Sequence, residues 1–209
     1  MCMRSALGNA GRFLFRLSTT GFQKRFPLTR YSGYKQILSY KANRQGMVLS
    51  ISHSEILAKL LGFLDSQIID VSYPEYDLIN LPYADYQFNA LVADQVLEHI
   101  AGDPFQAVAE SFRVVKTGGL VLHTSTFFNR VHGENDFWRF SPTALRLMVG
   151  CHGEIIDSGG WGNLAAYFLM NLGLNSELIP ESRIHPANWI ATRNHKKYPI
   201  FTWVLARKC

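Results

Sequence analysis

From residue 47 onward the chain alternates short apolar runs with stretches of helical spacing. Met47 to Ser52 (MVLSIS) reads as a short buried strand, and Glu55 to Phe63 has apolar residues at Ile56, Leu57, Leu60 and Leu61, the spacing of one helix face. Gln67 to Val71 is a second strand and Phe88 to Ala93 a third. Pro104 to Lys116 carries Phe105, Val108, Ala109 and Phe112 on one face, with Pro104 where a first turn tolerates it and Gly118-Gly119 as its stop. Leu120 to Thr126 is a fourth strand. Pro142 to Val149 is a helix with Ser141 as its N-cap. Glu154 to Asp157 and Phe201 to Ala206 are late strands. Between them, Gly159 to Gly162 reads as a flexible turn and Asn163 to Leu174 as one apolar helix. Strands alternating with helices predict an α/β fold with crossover connections.

The first 46 residues follow a different rule. Nine cations (Arg4, Arg12, Arg16, Lys24, Arg25, Arg30, Lys35, Lys41 and Arg44) are interleaved with aromatics from Phe13 to Tyr40, and there is no Asp or Glu. The remaining 163 residues carry 12 basic and 16 acidic side chains, so the net charge of +5 belongs to this segment. Four readings stay open: a transit peptide, an arm on an anionic membrane surface, a phosphate-binding arm, or a cap whose aromatics dock while its cations stay wet. Pro27, Gly33 and Gly46 argue against a single long helix here. The expected organisation is therefore a basic, aromatic-rich arm or cap over 1–46 and a domain over 47–209, with 160–199 covering one side of its site.

At 209 residues the chain suits one domain with a full core, and 47% hydrophobic content excludes a disordered chain. No apolar run approaches the ~20 residues that span a bilayer. Three cysteines without a CxxC pattern argue against a disulfide framework and a structural zinc site, so a reducing, cytoplasmic setting is expected; the basic arm suits a membrane surface, and the 163–174 helix could touch a membrane or a partner subunit through Tyr167, Phe168 and Met170, though core packing is the default for it.

Three acids follow strands: Asp70, Asp77 and Asp94. Ligands of open α/β sheets bind beyond the carboxyl ends of the strands, and a carboxylate there can hold a ribose diol. Each acid alone is equally a turn residue. Their context is more specific. Asp77-Leu78-Ile79-Asn80-Leu81-Pro82-Tyr83, Asp94-Gln95-Val96-Leu97-Glu98-His99 and Arg113-Val114-Val115-Lys116-Thr117-Gly118-Gly119 stand in order and at the spacing of D-x-x-x-L-P-F, V-L-E-H and R-V-L-K-P-G-G blocks. His132 to Pro142 (HGENDFWRFSP) adds a fourth block. Together they resemble the class I S-adenosylmethionine-dependent methyltransferases, most closely the small type 11 branch, over roughly residues 47 to 160.

That resemblance implies a Rossmann-like, doubly wound, mostly parallel sheet and S-adenosyl-L-methionine as cofactor. It implies that Asp70 and neighbouring Val71 hold the ribose, Asp77 and Leu78 the adenine, and Asp94 and Gln95 the methionine part. It further implies a small-molecule or glycan-linked acceptor methylated on oxygen or nitrogen. Glu98 and His99 would begin the acceptor wall.

One departure stands out. Where the branch has a glycine-rich D-x-G-x-G loop, this chain has Ser50-Ile51-Ser52-His53-Ser54-Glu55, without a glycine. Ser50, Ser52 and His53 are the cofactor-loop candidates, and their Cβ atoms occupy space that glycine leaves open. This supports a competing reading, an inactive methyltransferase-like binding domain.

Methyl transfer needs in-line placement of its reactants, and an O or N acceptor gains from a base. The stretch 130–140 concentrates suitable groups. His132 is the candidate base and Asp136 its orienter; Arg130, Trp138 and Arg139 are candidates for the acceptor wall. Too few oxygen ligands cluster around Asp94, Glu98 and His99 for a hard cation, so no metal is expected. A dehydrogenase lacks its G-x-G-x-x-G here, and the acidic core speaks against nucleic acid as partner.

Overall fold

The computed structural model describes residues 2–209, with side chains from residue 9 onward other than Ser66. In chain order the elements are α1 (Cys2–Ser18), β1 (Lys24–Pro27), α2 (Tyr31–Leu38), β2 (Val48–Ile51), α3 (Glu55–Leu61), β3 (Ile68–Val71), β4 (Phe88–Asp94), α4 (Pro104–Val114), β5 (Val115–Thr126), α5 (Pro142–Gly150), β6 (Gly153–Trp161), α6 (Leu164–Leu169), β7 (Leu178–Pro180), α7 (Pro186–Thr192) and β8 (Phe201–Lys208). The helix starts follow their caps. The Asp103 carboxylate accepts from the Phe105 N–H at 2.8 Å ahead of Pro104, and the Ser141 hydroxyl accepts from the Ala144 N–H at 3.2 Å ahead of Pro142. Helix α3 stops at Gly62, whose φ of 102° suits glycine, and a Cβ there would lie 1.8 Å from the Ala42 carbonyl oxygen.

Six strands form one sheet in the order β3-β2-β4-β5-β8-β6. The first four are mutually parallel, and β8 runs antiparallel to both neighbours. The short runs predicted from apolar pattern fall in this sheet, and alternation sends their side chains to opposite faces. Val48, Ala90, Val92, Leu120 and Leu122 pack under α2, α3 and α7. Leu49, Leu91, Ala93, Val121 and Val204 pack under α4 and α5. The result is a sheet covered on both faces, with β1 and β7 paired as a separate two-stranded ribbon. Phe26, Leu28, Tyr31, Tyr34 and Ile37 of the N-terminal segment lie in the first of these clusters.

Four expectations are corrected. The stretch expected as one helix over 163–174 is α-helical only from Leu164 to Leu169; Met170 to Leu174 form a wider turn, kinked where Gly173 takes φ 89°. Gly159, Gly160 and Trp161 are not a flexible turn but the end of β6, paired with Trp203, Thr202 and Phe201. Their missing side chains make room: a Cβ on Gly159 would meet the Trp203 ring at 2.6 Å. Gly33 does not interrupt a helix. It sits inside α2, where a Cβ would lie 2.3 Å from the Phe201 ring. The stop expected at Gly118-Gly119 comes earlier, since α4 ends at Val114 and Val115 already pairs with Phe88.

Candidate active site

Connections run one way from β2 to β3 and the other way from β4 to β5, so the strand order reverses between β2 and β4. At such a switch point the loops leave in opposite directions and open a crevice at the carboxyl ends of the strands. A cavity of about 590 Å³ lies there. Ile51 and Ser52 reach it from the end of β2, and Asp94, Gln95 and Val96 from the end of β4; Asp77, Leu78, His99 and Phe137 complete much of its wall. That volume is in the range of small-molecule sites.

The glycine-free loop makes the same sharp turn that glycines would make. Ser52 and His53 have φ of 55° and 62°, and Gln95 on the facing loop has φ 57°. For residues with a Cβ this left-handed region costs about 1–2 kcal/mol each, and it persists only where other contacts hold it. Here they do. The Ser52 N–H donates to the Val71 carbonyl at 2.7 Å, and the His53 N–H donates to Asp70 Oδ1 at 3.1 Å. The buried Ser54 hydroxyl donates to the Ile51 carbonyl and accepts the Asp94 N–H at 2.7 Å. Ser52→Gly should therefore stabilise the fold by about 0.5 kcal/mol after its freer unfolded chain is subtracted. Ser52→Val, branched where φ is positive, should cost about 1–2 kcal/mol. Urea unfolding of the pair measures both, and equal stabilities would mean the turn is unstrained.

Asp70 is turned toward this loop. It accepts the buried Ser50 hydroxyl at 2.6 Å and lies 3.1 Å from His53 Nδ1. Neither Asp70 nor Val71, both expected at the ribose, contributes to the cavity wall, and the exposed His53 ring lies outside it. Asp94 is committed too. Arg30 Nε donates to its Oδ2 at 2.7 Å, and the Tyr34 hydroxyl donates to the same oxygen at 2.6 Å. Arg30 Nη2 continues to Gln95 Oε1 at 2.8 Å. Burial alone would lower the Arg30 pKa, but the Asp94 carboxylate holds it above its usual value. Burial, reinforced by Asp94, likewise raises the Tyr34 hydroxyl, which stays protonated as a donor. Neither residue was singled out from the sequence, where Arg30 counts only as one cation in a basic run.

A second cavity of about 140 Å³ shares Gln95 with the first. Its wall is mostly polar and without acids, with Thr29, Arg30, Thr126, Asn129, Arg130, His132, Asn171 and Asn175 beside the apolar Met170 and Ile200. His132 and His99 meet edge to face with ring centroids 5.2 Å apart, so one histidine faces each cavity. Each is held by an oxygen. His99 Nδ1 lies 2.6 Å from the Asn135 carbonyl, and His132 Nδ1 lies 3.0 Å from Asp136 Oδ2. The buried Asp136 carboxylate is gripped on both oxygens by Arg139, and this pairing is the main reason its pKa falls to about 2. It is therefore an anion at any physiological pH. Ligating atoms of His99, His132 and Asp136 lie within 4.8 Å of one another, but Arg139 already holds both oxygens of that carboxylate. Trp138 does not offer a free ring edge: its Nε1–H donates to the Ile100 carbonyl at 2.8 Å and fixes the loop. Arg139 likewise serves Asp136 and the loop carbonyls and lies outside both cavity walls. Glu98, expected at the acceptor wall, is instead fully buried and lines neither cavity, with its Oε2 accepting the Ser125 hydroxyl at 2.7 Å and its Oε1 without a partner among the described residues.

A sequence model of the methyltransferase domain, of the type 11 branch, matches residues 32–123. Residues 32–123 are therefore similar to a methyltransferase domain of the type 11 branch. The matched segment begins inside α2 and ends in β5, and so includes Tyr34, the glycine-free loop, Asp77 and Asp94. Among solved structures, a putative methyltransferase from Haloferax volcanii, in complex with the Trm112 activator, is similar at 13% identity over 89% of this chain and 99% of its own, with a TM-score of 0.55. A putative methyltransferase from Bacillus halodurans is similar at 12% identity over 85% and 99%, with a TM-score of 0.54. The [4+2]-cyclase SpnF is similar at 16% identity over 85% and 80%, with a TM-score of 0.52. These likenesses establish the methyltransferase fold. No curated protein sequence matches the chain. Among the described residues, no helix is long and apolar enough to cross a membrane.

Proposed function

We propose that this protein binds S-adenosylmethionine in the 590 Å³ cavity and methylates an oxygen or nitrogen of a polar small-molecule or glycan-linked acceptor held in the smaller one. The observation that carries the reading is that the two cavities meet at Gln95, with the His99–His132 pair between them. The larger cavity fits the cofactor. The left-handed turn at Ser52 and His53 brings backbone close to it as glycines would, while Asp77 and Leu78 sit where an adenine edge can be read. Asp77 Oδ1 accepts the Ile79 N–H at 3.1 Å, which fixes that loop. Arg30 and Gln95 lie beside the crevice, where a guanidinium and an amide suit the amino-acid end of the cofactor.

The bound cofactor supplies an electrophilic methyl group. The chain supplies position and a proton acceptor. Ionised Asp136 keeps the proton of His132 on Nδ1, leaving Nε2 as the free base toward the acceptor. Asn129, Asn171 and Asn175 offer both donors and acceptors, the complement of a polyhydroxylated ring, and Arg130 adds a cation without a facing acid. The N-terminal segment acts as a cap on this site through Arg30 and Tyr34.

Calorimetric titration with S-adenosylmethionine and S-adenosylhomocysteine tests the reading. Micromolar binding should weaken at least tenfold, roughly 1.4 kcal/mol, in Asp77→Ala. His132→Ala should keep cofactor affinity and lose about 100-fold or more in kcat on an acceptor. Absence of binding to the wild-type chain would overturn the cofactor assignment and leave a binding domain that keeps only the fold.

A further inference from the structure

We propose that α1 and the loops beside it form a docking face for the surface of an anionic lipid bilayer. This goes beyond the methyl-transfer reading and does not depend on it. Helix α1 has one inward side and one bare side. Phe15 packs on the core, and Gly11 lies against the Leu172 carbonyl, 3.8 Å from where its Cβ would be. Phe13, Leu14 and Leu17 point the other way and are 68%, 63% and 62% exposed. A soluble helix with its bare side free would place polar residues at these three positions.

The contacts that anchor α1 also set further exposed apolar residues beside it. Gly11 meets the backbone of Leu172, which is itself exposed. Arg16 pairs with Glu177 at 2.8 Å, next in the chain to exposed Leu178. Phe15 meets the His185 ring edge-on at 6.5 Å, next to Ile184, the most exposed large apolar residue. Large apolar residues gathered in this way mark an interaction surface.

Charge selects the partner. The first 46 residues carry nine cations and no acid. The two acids that the neighbouring segment brings to them are already paired: Glu177 with Arg16, and Glu181 with Arg25 and Lys35 at 3.6 and 3.7 Å. Arg12 stays exposed beside Phe13. An apolar helix side flanked by cations is the pattern of a helix lying in the interface of an anionic membrane. Nucleic acid would use the cations but not Leu14 and Leu17, which cannot stack on bases as aromatics do. The face also lies beside the proposed acceptor cavity. The turn that carries Leu172 contributes Met170 and Asn171 to that cavity, so an acceptor borne on a lipid headgroup would arrive at its mouth.

Flotation of the full chain with vesicles tests the proposal. Vesicles of phosphatidylcholine containing phosphatidylglycerol should carry the protein, and pure phosphatidylcholine should carry at least about tenfold less. Added salt should weaken the binding. Leu14→Asp with Leu17→Asp should abolish it while leaving the melting temperature within a few degrees of wild type, since both side chains are exposed. A conservative pair, Leu14→Met with Leu17→Met, should retain it. No flotation of the wild-type chain overturns the proposal, as does flotation unchanged by the Asp pair. A dimer in sedimentation equilibrium that the Asp pair dissolves also overturns it in favour of a second copy, and binding to RNA but not vesicles overturns it in favour of phosphate recognition. S-adenosylmethionine titration on the same samples keeps a failure of docking separate from a failure of the cofactor reading.

Discussion

His123→Leu should tilt the stability profile, so that stability falls as pH rises from about 4.5 to 7. His123 stands on β5, fully buried, with its Nε2 3.1 Å from the Ser111 hydroxyl and its Nδ1 without a partner among the described residues. Burial pushes its pKa down from 6.5 to about 4. Between those values the unfolded chain binds a proton that the folded chain refuses. The contribution of neutral His123 is therefore complete above pH 6.5 and is lost as pH falls through about 4. The shift corresponds to about 3 kcal/mol. Leucine removes the titrating group, and Ser111 keeps a partner because its hydroxyl donates to the Ala107 carbonyl at 2.8 Å.

Glu98 pulls the other way across almost the same window. Burial raises its carboxyl from 4.5 to about 7. The folded chain here keeps a proton that the unfolded chain releases, so the contribution is complete below pH 4.5 and is lost as pH rises through about 7. In the wild type the two slopes largely cancel. Urea unfolding from pH 4 to 7.5 should show a nearly level profile for wild type, a fall with rising pH for His123→Leu, and a rise with pH for Glu98→Gln. Parallel profiles for all three would mean that neither group titrates inside the fold.

Arg30→Met should damage both stability and cofactor binding. The substitution leaves Asp94, only 10% exposed, with the Tyr34 and Thr124 hydroxyls as its side-chain donors. Removing one partner of a buried pair is costly because the other charge stays behind. The guanidinium is partly open to solvent, so a cost of about 2 kcal/mol is expected rather than the full value. S-adenosylmethionine affinity should fall about tenfold. Adding Asp94→Asn should recover part of the stability and none of the affinity, the non-additivity expected of groups in contact. Additive losses in the double variant would show that the pair is not coupled.

The two variants bear on what the sequence makes legible. The core strands were readable because a sheet covered on both faces needs mainly apolar runs, and VLSI and FNALVAD are mainly apolar. Helix starts were readable because Pro104 suits a first turn and Ser141 stands directly before Pro142. The glycines misled, since periodicity shows where a chain lacks a side chain but not which neighbour takes the space. Gly33 and Gly159 look like breaks and are contact points for Phe201 and Trp203, both distant in sequence. The candidate site divides the same way. Asp77, Asp94, Gln95 and His99 carry local pattern and line the large cavity. Arg30 carries none, because what distinguishes it from eight other cations is a partner 64 residues away. Glu98 was visible as a motif residue, while its burial, from which its altered titration follows, is a property of packing alone.

The antiparallel strand β8 has a consequence for how the chain is made. It lies between β5 and β6 and is synthesised after both. Until it leaves the ribosome, β5 presents an open edge and β6 has no partner in the sheet. A nascent chain stalled before Phe201 would expose two unpaired strand edges and the apolar residues that Val204 and Leu205 cover. The four parallel strands can pair earlier, but the sheet is completed only once translation has passed β8.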